Sequence, residues 1–224
     1  MSGISGPSII NSGLVLALDA ANRTSYVSGS KNSFSLTSTS VTGSLKNGLG
    51  FSYNNLGTFV YDGTNDYMSF GNLTMPTTAL SVFAWVYHTD TNGNHQDFVT
   101  KVGTFKFRID SNAEGGNLSA FAVIGGGYEP RLSTSWTKNT WIQAAFTWNT
   151  NGNFRLFKNG ILANSSTTRT GTLSTATNAL EVGSDTSSTY YWKGNISNVL
   201  IYNQTLTDSQ VLQNYNATKA RFGL

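Results

Sequence analysis

The sequence predicts an all-β protein, a sandwich or barrel of antiparallel strands with one short helix near its C-terminal end. Three observations carry that prediction. First, WIQAAFTWNTNGNFRLFKNGILANS (141–165) reads as strand, turn, strand, turn, strand. Ile142, Ala144, Phe146 and Trp148 share one side of a period-2 pattern and Gln143, Ala145 and Thr147 the other, which places one face in a core. NTNGN is turn chemistry, and Asn159-Gly160 between apolar runs signals a tight hairpin, because both turn positions need φ > 0. Second, about a dozen short apolar runs are punctuated by turn residues at regular spacing. Third, Thr207-Asp208-Ser209-Gln210 has capping-box form, and Val211, Leu212 and Tyr215 behind it share a helix face.

In chain order, residues 1–13 are small and polar, with Gly3, Gly6, Pro7 and Gly13, and read as a flexible arm. Residues 14–224 read as a single domain. LVLAL (14–18) is the first strand. Residues 19–46 are rich in Ser, Thr, Asn and Gly and take no strand assignment, with Tyr26, Phe34 and Leu36 as expected anchors. Strands follow at 58–61, 67–70 and 80–87. The last is apolar on both faces and belongs at a sheet centre. Further strands are expected at 98–101, 104–109, 118–124, 179–182 and 196–202. No fixed-period repeat or linker composition divides the chain.

The composition narrows the function. Hydrophobic residues are 38% and aromatic residues 12% of 224, enough for a substantial core. Charged residues are only 11%, so solubility rests on Ser, Thr, Asn and Gly. The net charge of +3 is small and its 14 basic residues are scattered, which argues against nucleic acid as a partner. With no cysteine, disulfides and thiolate chemistry are excluded. MSGISGPSIINSG lacks the basic and apolar regions of a signal peptide, and no run is long and apolar enough for a membrane span.

Catalytic patterns are sparse. Glycoside hydrolysis needs two carboxylates flanking the scissile bond, yet Glu114, Glu129 and Glu181 have no acid two residues away. No catalytic residues are assigned. Asp62 and Asp66 in DGTND read as an Asx-type turn, or, with Asp185, as candidate calcium ligands. No other cofactor is expected. His88 and His95 lack the spacing of a zinc site. Gly125-Gly126-Gly127 reads as a hairpin tip. Tyr128, Arg131, Tyr190 and Tyr191 are the candidate glycan or partner contacts, because sugars stack their C–H faces on aromatic rings. Trp85, Trp141 and Trp148 are expected in the core, while Trp192 reads either as part of a stacking platform with Tyr190 and Tyr191 or as core filling at the sandwich edge.

Four segments in order carry a family resemblance: GSLKNGLGFSYNNLGTFVYDGTNDYMSF, SVFAWVY, WIQAAFTWNTNGNFRLFKNG, and ALEVGSD followed by YYWKGNISNVLIYNQTLTDSQVLQNY. Together they resemble the laminin-G-like jelly roll of the concanavalin A-like lectin/glucanase superfamily over residues 14–224. The resemblance implies a two-sheet antiparallel jelly-roll sandwich with one short C-terminal helix. SYVSGSKNSF stands where related sequences often carry a Trp-x-Asp-Leu-Ser-Gly-like segment. SGLVLALDAANRTSY and LTDSQVLQNYNATKARFGL resemble phage-encoded members. That resemblance implies a non-enzymatic virion protein: a capsid decoration, head fibre or tail-associated jelly roll exposed on the particle. Other virion proteins, a host-surface glycan and a homotrimer are its implied partners. The alternative is a carbohydrate-binding lectin module for cell-surface glycans.

Overall fold

The computed structural model describes residues 7–37, 41–90, 93–127 and 130–224. The strands run β1 (Leu14–Asp19), β2 (Asn32–Phe34), β3 (Thr42–Lys46), β4 (Gly50–Ser52), β5 (Thr58–Asp62) and β6 (Tyr67–Ser69). Next come β7 (Ala79–His88), β8 (Gln96–Lys101), β9 (Phe105–Ile109), β10 (Leu118–Ala122), β11 (Arg131–Thr134) and β12 (Trp141–Asn149). The chain closes with β13 (Phe154–Lys158), β14 (Ile161–Ser166), β15 (Leu180–Val182), β16 (Ser184–Asp185), β17 (Tyr190–Tyr191), β18 (Lys193–Tyr202) and helix α1 (Asp208–Thr218). A 3-10 turn, Lys219–Phe222, extends the helix. No helix among the described residues is long and apolar enough to cross a membrane.

Two antiparallel sheets stack as a sandwich. The first has the order β14-β13-β12-β7-β18-β5-β4, with β1 also paired to β18; the second runs β11-β10-β9-β8-β15-β6-β3-β2. β16 and β17 form a separate two-stranded ribbon. The alternation of β12 does what its pattern predicts: Ile142, Ala144, Phe146 and Trp148 enter the core between the sheets. There Phe146 meets Phe105 and Phe107 from the second sheet at 5.6 and 5.1 Å between ring centres. Asn159 and Gly160 take φ of 54° and 75°, the left-handed pair that a tight β13–β14 hairpin needs.

The opposite face of β12 departs from the expectation. Gln143, Ala145 and Thr147 are buried too. The outer side of the first sheet carries its own apolar cluster, with Phe83, Phe157, Tyr202, Leu206 and Val211, and α1 covers it. Trp85 is fully buried, but under the helix rather than between the sheets. It stacks on Phe222 at 4.0 Å and Tyr215 at 5.8 Å, and its Nε1 donates to Thr218 Oγ1. The capping box forms as the sequence signals. Leu212, expected on the docked face, is 42% exposed. Buried Asn214 docks instead: its Oδ1 accepts from Ile10 N at 2.8 Å and its Nδ2 donates to the Tyr202 hydroxyl. Residues 7–13, read from sequence as part of an arm, lie against this helix, with Ile9 and Ile10 on the apolar cluster.

β2, β3 and β4, each only three to five residues long, escaped the sequence reading, and around β2 hydroxyls rather than alternating apolar side chains hold the chain. Ser25 Oγ accepts from Asp19 N and donates to Phe34 O, and Ser33 Oγ donates to Ser25 O. Tyr26 is buried as an anchor, but Phe34 and Leu36 are exposed.

Candidate functional site

The outer face of the second sheet carries the densest polar network of the described residues, and strand register explains it. Phe105, Phe107 and Ile109 point into the core, so Lys106 and Arg108, with Asp110 beyond, emerge on the outer face. Across the ladder Lys106 faces Phe121, and Phe121 faces Arg131. In the next row Asp97 faces Arg108, which faces Ser119. The guanidinium carbons of Arg108 and Arg131 lie 4.6 and 5.2 Å from the centre of the Phe121 ring. That contact adds a cation–π attraction to the ion pairs.

Asp110 is fully enclosed by donors. Arg108 Nε reaches its Oδ1 at 2.9 Å, and both Arg131 Nη2 and the Ser119 hydroxyl donate to its Oδ2. Glu114 sits at the edge, 2.8 Å from Arg131 Nη1 and 3.1 Å from His95 Nε2. His95 Nδ1 accepts from Ser111 N, which fixes the ring. The Tyr190 ring then packs on the imidazole at 4.9 Å. Arg131, Glu114, His95 and Tyr190 thus form one continuous, partly exposed row. Burial, then the Arg108 charge, lowers the His95 pKa, so the imidazole is neutral at pH 7.

The β16–β17 ribbon lies beside β8 and closes the network from above. Lys106 Nζ meets Asp185 Oδ2 at 2.5 Å, and Ser187 donates to Asp185 Oδ1. Burial alone would raise Asp185, but the Lys106 ammonium and the Ser187 hydroxyl hold its carboxyl below the usual range. Asp97 behaves oppositely. It is fully buried, Thr100 donates to its Oδ1, and its Oδ2 has no partner among the described residues. Burial pushes its carboxyl up to about 7, against the pull of Lys106 and Arg108.

Two of the four residues singled out from sequence, Arg131 and Tyr190, therefore meet through Glu114 and His95. Tyr191 is half-buried in the ribbon and, one residue on, points to the ribbon's other side. Tyr128 lies outside the described residues. The calcium candidates do not converge. Asp62 Oδ1 accepts from Thr64 N at 2.7 Å as an Asx turn, Asp66 Oδ2 accepts from Asp62 N, and Asp185 is committed to Lys106. An imidazole nitrogen of His95 and the carboxylates of Asp110 and Glu114 lie close enough to share an ion. Two guanidinium groups already neutralise them, and calcium prefers six to eight oxygens, so this donor set does not fit it. Of the two readings of Trp192 the structure takes the core one: the ring is buried against Phe98 at 5.3 Å and joins no surface platform. The sequence did hold one signal for the missed residues: in FKFRID, charged side chains alternate strictly with apolar ones.

Comparisons place this fold. The chain resembles the binding domain of Paraclostridial Mosquitocidal Protein 1, with a TM-score of 0.70 and 16% identity over 92% of this chain and 52% of that one. It resembles equally the ligand-binding domain of botulinum neurotoxin serotype D, solved with N-acetylneuraminic acid (TM-score 0.70, 14% identity, 92% and 51% covered). The chain spans about half the length of these toxin domains. Domain 4 of AbnA, an extracellular arabinanase of Geobacillus stearothermophilus solved with arabinotriose, is matched over 98% of its length and 90% of this chain, at TM-score 0.65 and 18% identity. A comparison with curated protein sequences finds no match. A family model described as the concanavalin A-like lectin/glucanases superfamily matches residues 62–212, about two thirds of the chain, and the chain belongs to that superfamily.

Proposed function

We propose that the chain is a non-catalytic carbohydrate-binding domain that recognises surface glycans through the row Arg131–Glu114–His95–Tyr190. The observation that carries this reading is the row itself. A guanidinium fork, a carboxylate, a neutral imidazole and a tyrosine ring are held on strands and their short connections, with their geometry set before any ligand arrives. The ring offers a stacking surface, and the three polar groups offer donors and acceptors for hydroxyls. The arabinotriose and N-acetylneuraminic acid complexes of the structural neighbours support the same class of ligand.

Hydrolysis is the weaker reading. Asp110, Asp185 and Glu114 are tied to cations, Glu181 accepts from Ser184 and Thr186, and Asp97 is closed off from solvent. A glycan array with the purified chain tests the proposal. Saturable binding to a glycan class, with no release of reducing ends from that glycan, supports it. No hit at high protein concentration, or sugar release, counts against it.

Display on a phage particle, with virion proteins as partners, is a second reading that rests on the sequence resemblance. One structural observation favours a display role: residues 7–13 and 219–222 both pack on the side of the first sheet, opposite the Arg131 row. Attachment through that side would leave the row free. Mass spectrometry of purified particles tests the placement, and light scattering tests the trimer.

A further inference from the structure

At the opposite end of β8 from His95, a cavity of about 230 Å³ opens between the β8–β9 turn and two loops. Asn72, Thr74, Met75, Ser174, Thr175 and Thr177 contribute to its wall, together with Lys101 and Thr104. The turn that presents Lys101 and Thr104 is held by Thr104 N donating to Lys101 O. Gly103, at φ +81°, allows that turn to press on Ala176, where a Cβ would come within 2.8 Å.

Two buried groups here are left incomplete. Lys101 is 2% exposed, and its ammonium donates to Asn72 Oδ1 at 3.0 Å and to Asn178 O at 2.5 Å. Both acceptors are neutral. Among the described residues no carboxylate pairs with it, and two neutral acceptors are all that its three N–H groups meet. A buried ammonium without a counter-charge is costly, and such groups ordinarily gain a partner. Thr104 is 1% exposed and its hydroxyl has no partner among the described residues. A cavity lined by one unmatched cation, one unmatched hydroxyl, further threonines and an asparagine is matched by a guest with one negative charge and several hydroxyls. Its volume is below the roughly 300–1,000 Å³ of drug-sized sites, which suits a monosaccharide-sized guest.

We propose that this pocket is a second binding site, separate from the Arg131 row, for a carboxylate-bearing sugar of the hexuronic acid type. The carboxylate meets Lys101 Nζ, and a ring hydroxyl meets Thr104 Oγ1. A doubly charged phosphate fits less well, because one ammonium would leave its second charge buried and unmatched.

Titration of the intact chain with D-glucuronate, D-glucose, acetate and inorganic phosphate, followed by NMR shifts at the pocket, tests this. Glucuronate should bind saturably and at least tenfold more tightly than the other three. Lys101→Met should weaken glucuronate at least tenfold. Thr104→Val removes a hydroxyl that has no partner, so it should fold as well as the parent and weaken glucuronate severalfold. The inference is overturned if glucuronate gives no saturable shift, if Lys101→Met leaves its affinity unchanged, or if acetate or phosphate binds as tightly. The pocket stands or falls independently of the Arg131 row, whose glycan-array hits would survive Lys101→Met.

Discussion

Asp97→Asn should stabilise this protein at alkaline pH, and the reason lies in the network above it. The carboxyl is fully buried and titrates near 7 rather than at its ordinary 3.8. Between those values the unfolded chain releases a proton that the folded chain keeps. Stability is therefore fully present below about pH 4 and is lost as pH rises toward 7, by about 1.4 kcal/mol per pH unit. The difference of 7 − 3.8 amounts to about 4 kcal/mol at pH 8. Asparagine keeps the bond from Thr100 through its Oδ1 but places an amide where Oδ2 has no partner, which costs about 1–3 kcal/mol. The net gain is about 2 kcal/mol, or a Tm rise of roughly 4–8 °C for a domain of this size. His88 complicates the parent curve. Burial lowers its pKa to about 4, so its contribution is present above 6.5 and is lost as pH falls toward 4, opposing Asp97 over that window. The readout is thus the variant-minus-parent difference in Tm from pH 4 to 8. A difference that grows with pH supports the reasoning. A variant less stable at pH 8, or a difference independent of pH, refutes it.

Other perturbations probe the frame. Phe222→Ala uncovers Trp85 and removes its 4.0 Å stack, and should cost about 3 kcal/mol in chemical denaturation. Gly194→Ala should prevent accumulation of folded protein, because its Cβ would sit 2.0 Å from Tyr87 O at φ +137°; a soluble variant with parental circular dichroism would contradict the packing described. Calcium and chelator should leave Tm unchanged, since the Asp62 carboxylate is already bonded by turn N–H groups. A rise of several degrees with millimolar calcium would reopen the site.

The frame was legible wherever side chains alternate or a cap has a fixed spacing. β7, β12 and the Thr207 cap are local patterns, and the structure follows them. The burial of Gln143 and Thr147 was not legible, because the cover comes from a helix some sixty residues later in the chain. The candidate site divides in the same way. Arg131 and Tyr190 could be named by residue type and loop position. His95 and Asp97 come from one segment and Arg108, Asp110 and Glu114 from another, and only the register of β8 and β9 sets the two side by side. Asp62 illustrates the converse: a dense acidic spot in sequence proved to be a turn using its own carboxylate.

The central claim is that the Arg131 row binds glycan, and affinity measurements on three proteins test it most directly. With a glycan found on the array, the parent, Arg131→Ala and Tyr190→Ala are titrated by calorimetry, with Tm recorded for each. Truncating the charged contact should weaken binding by about 2 kcal/mol or more, and losing the ring by about 1 kcal/mol, while all three remain folded. Folded variants that bind as tightly as the parent would contradict the account and move the glycan site elsewhere on the sandwich.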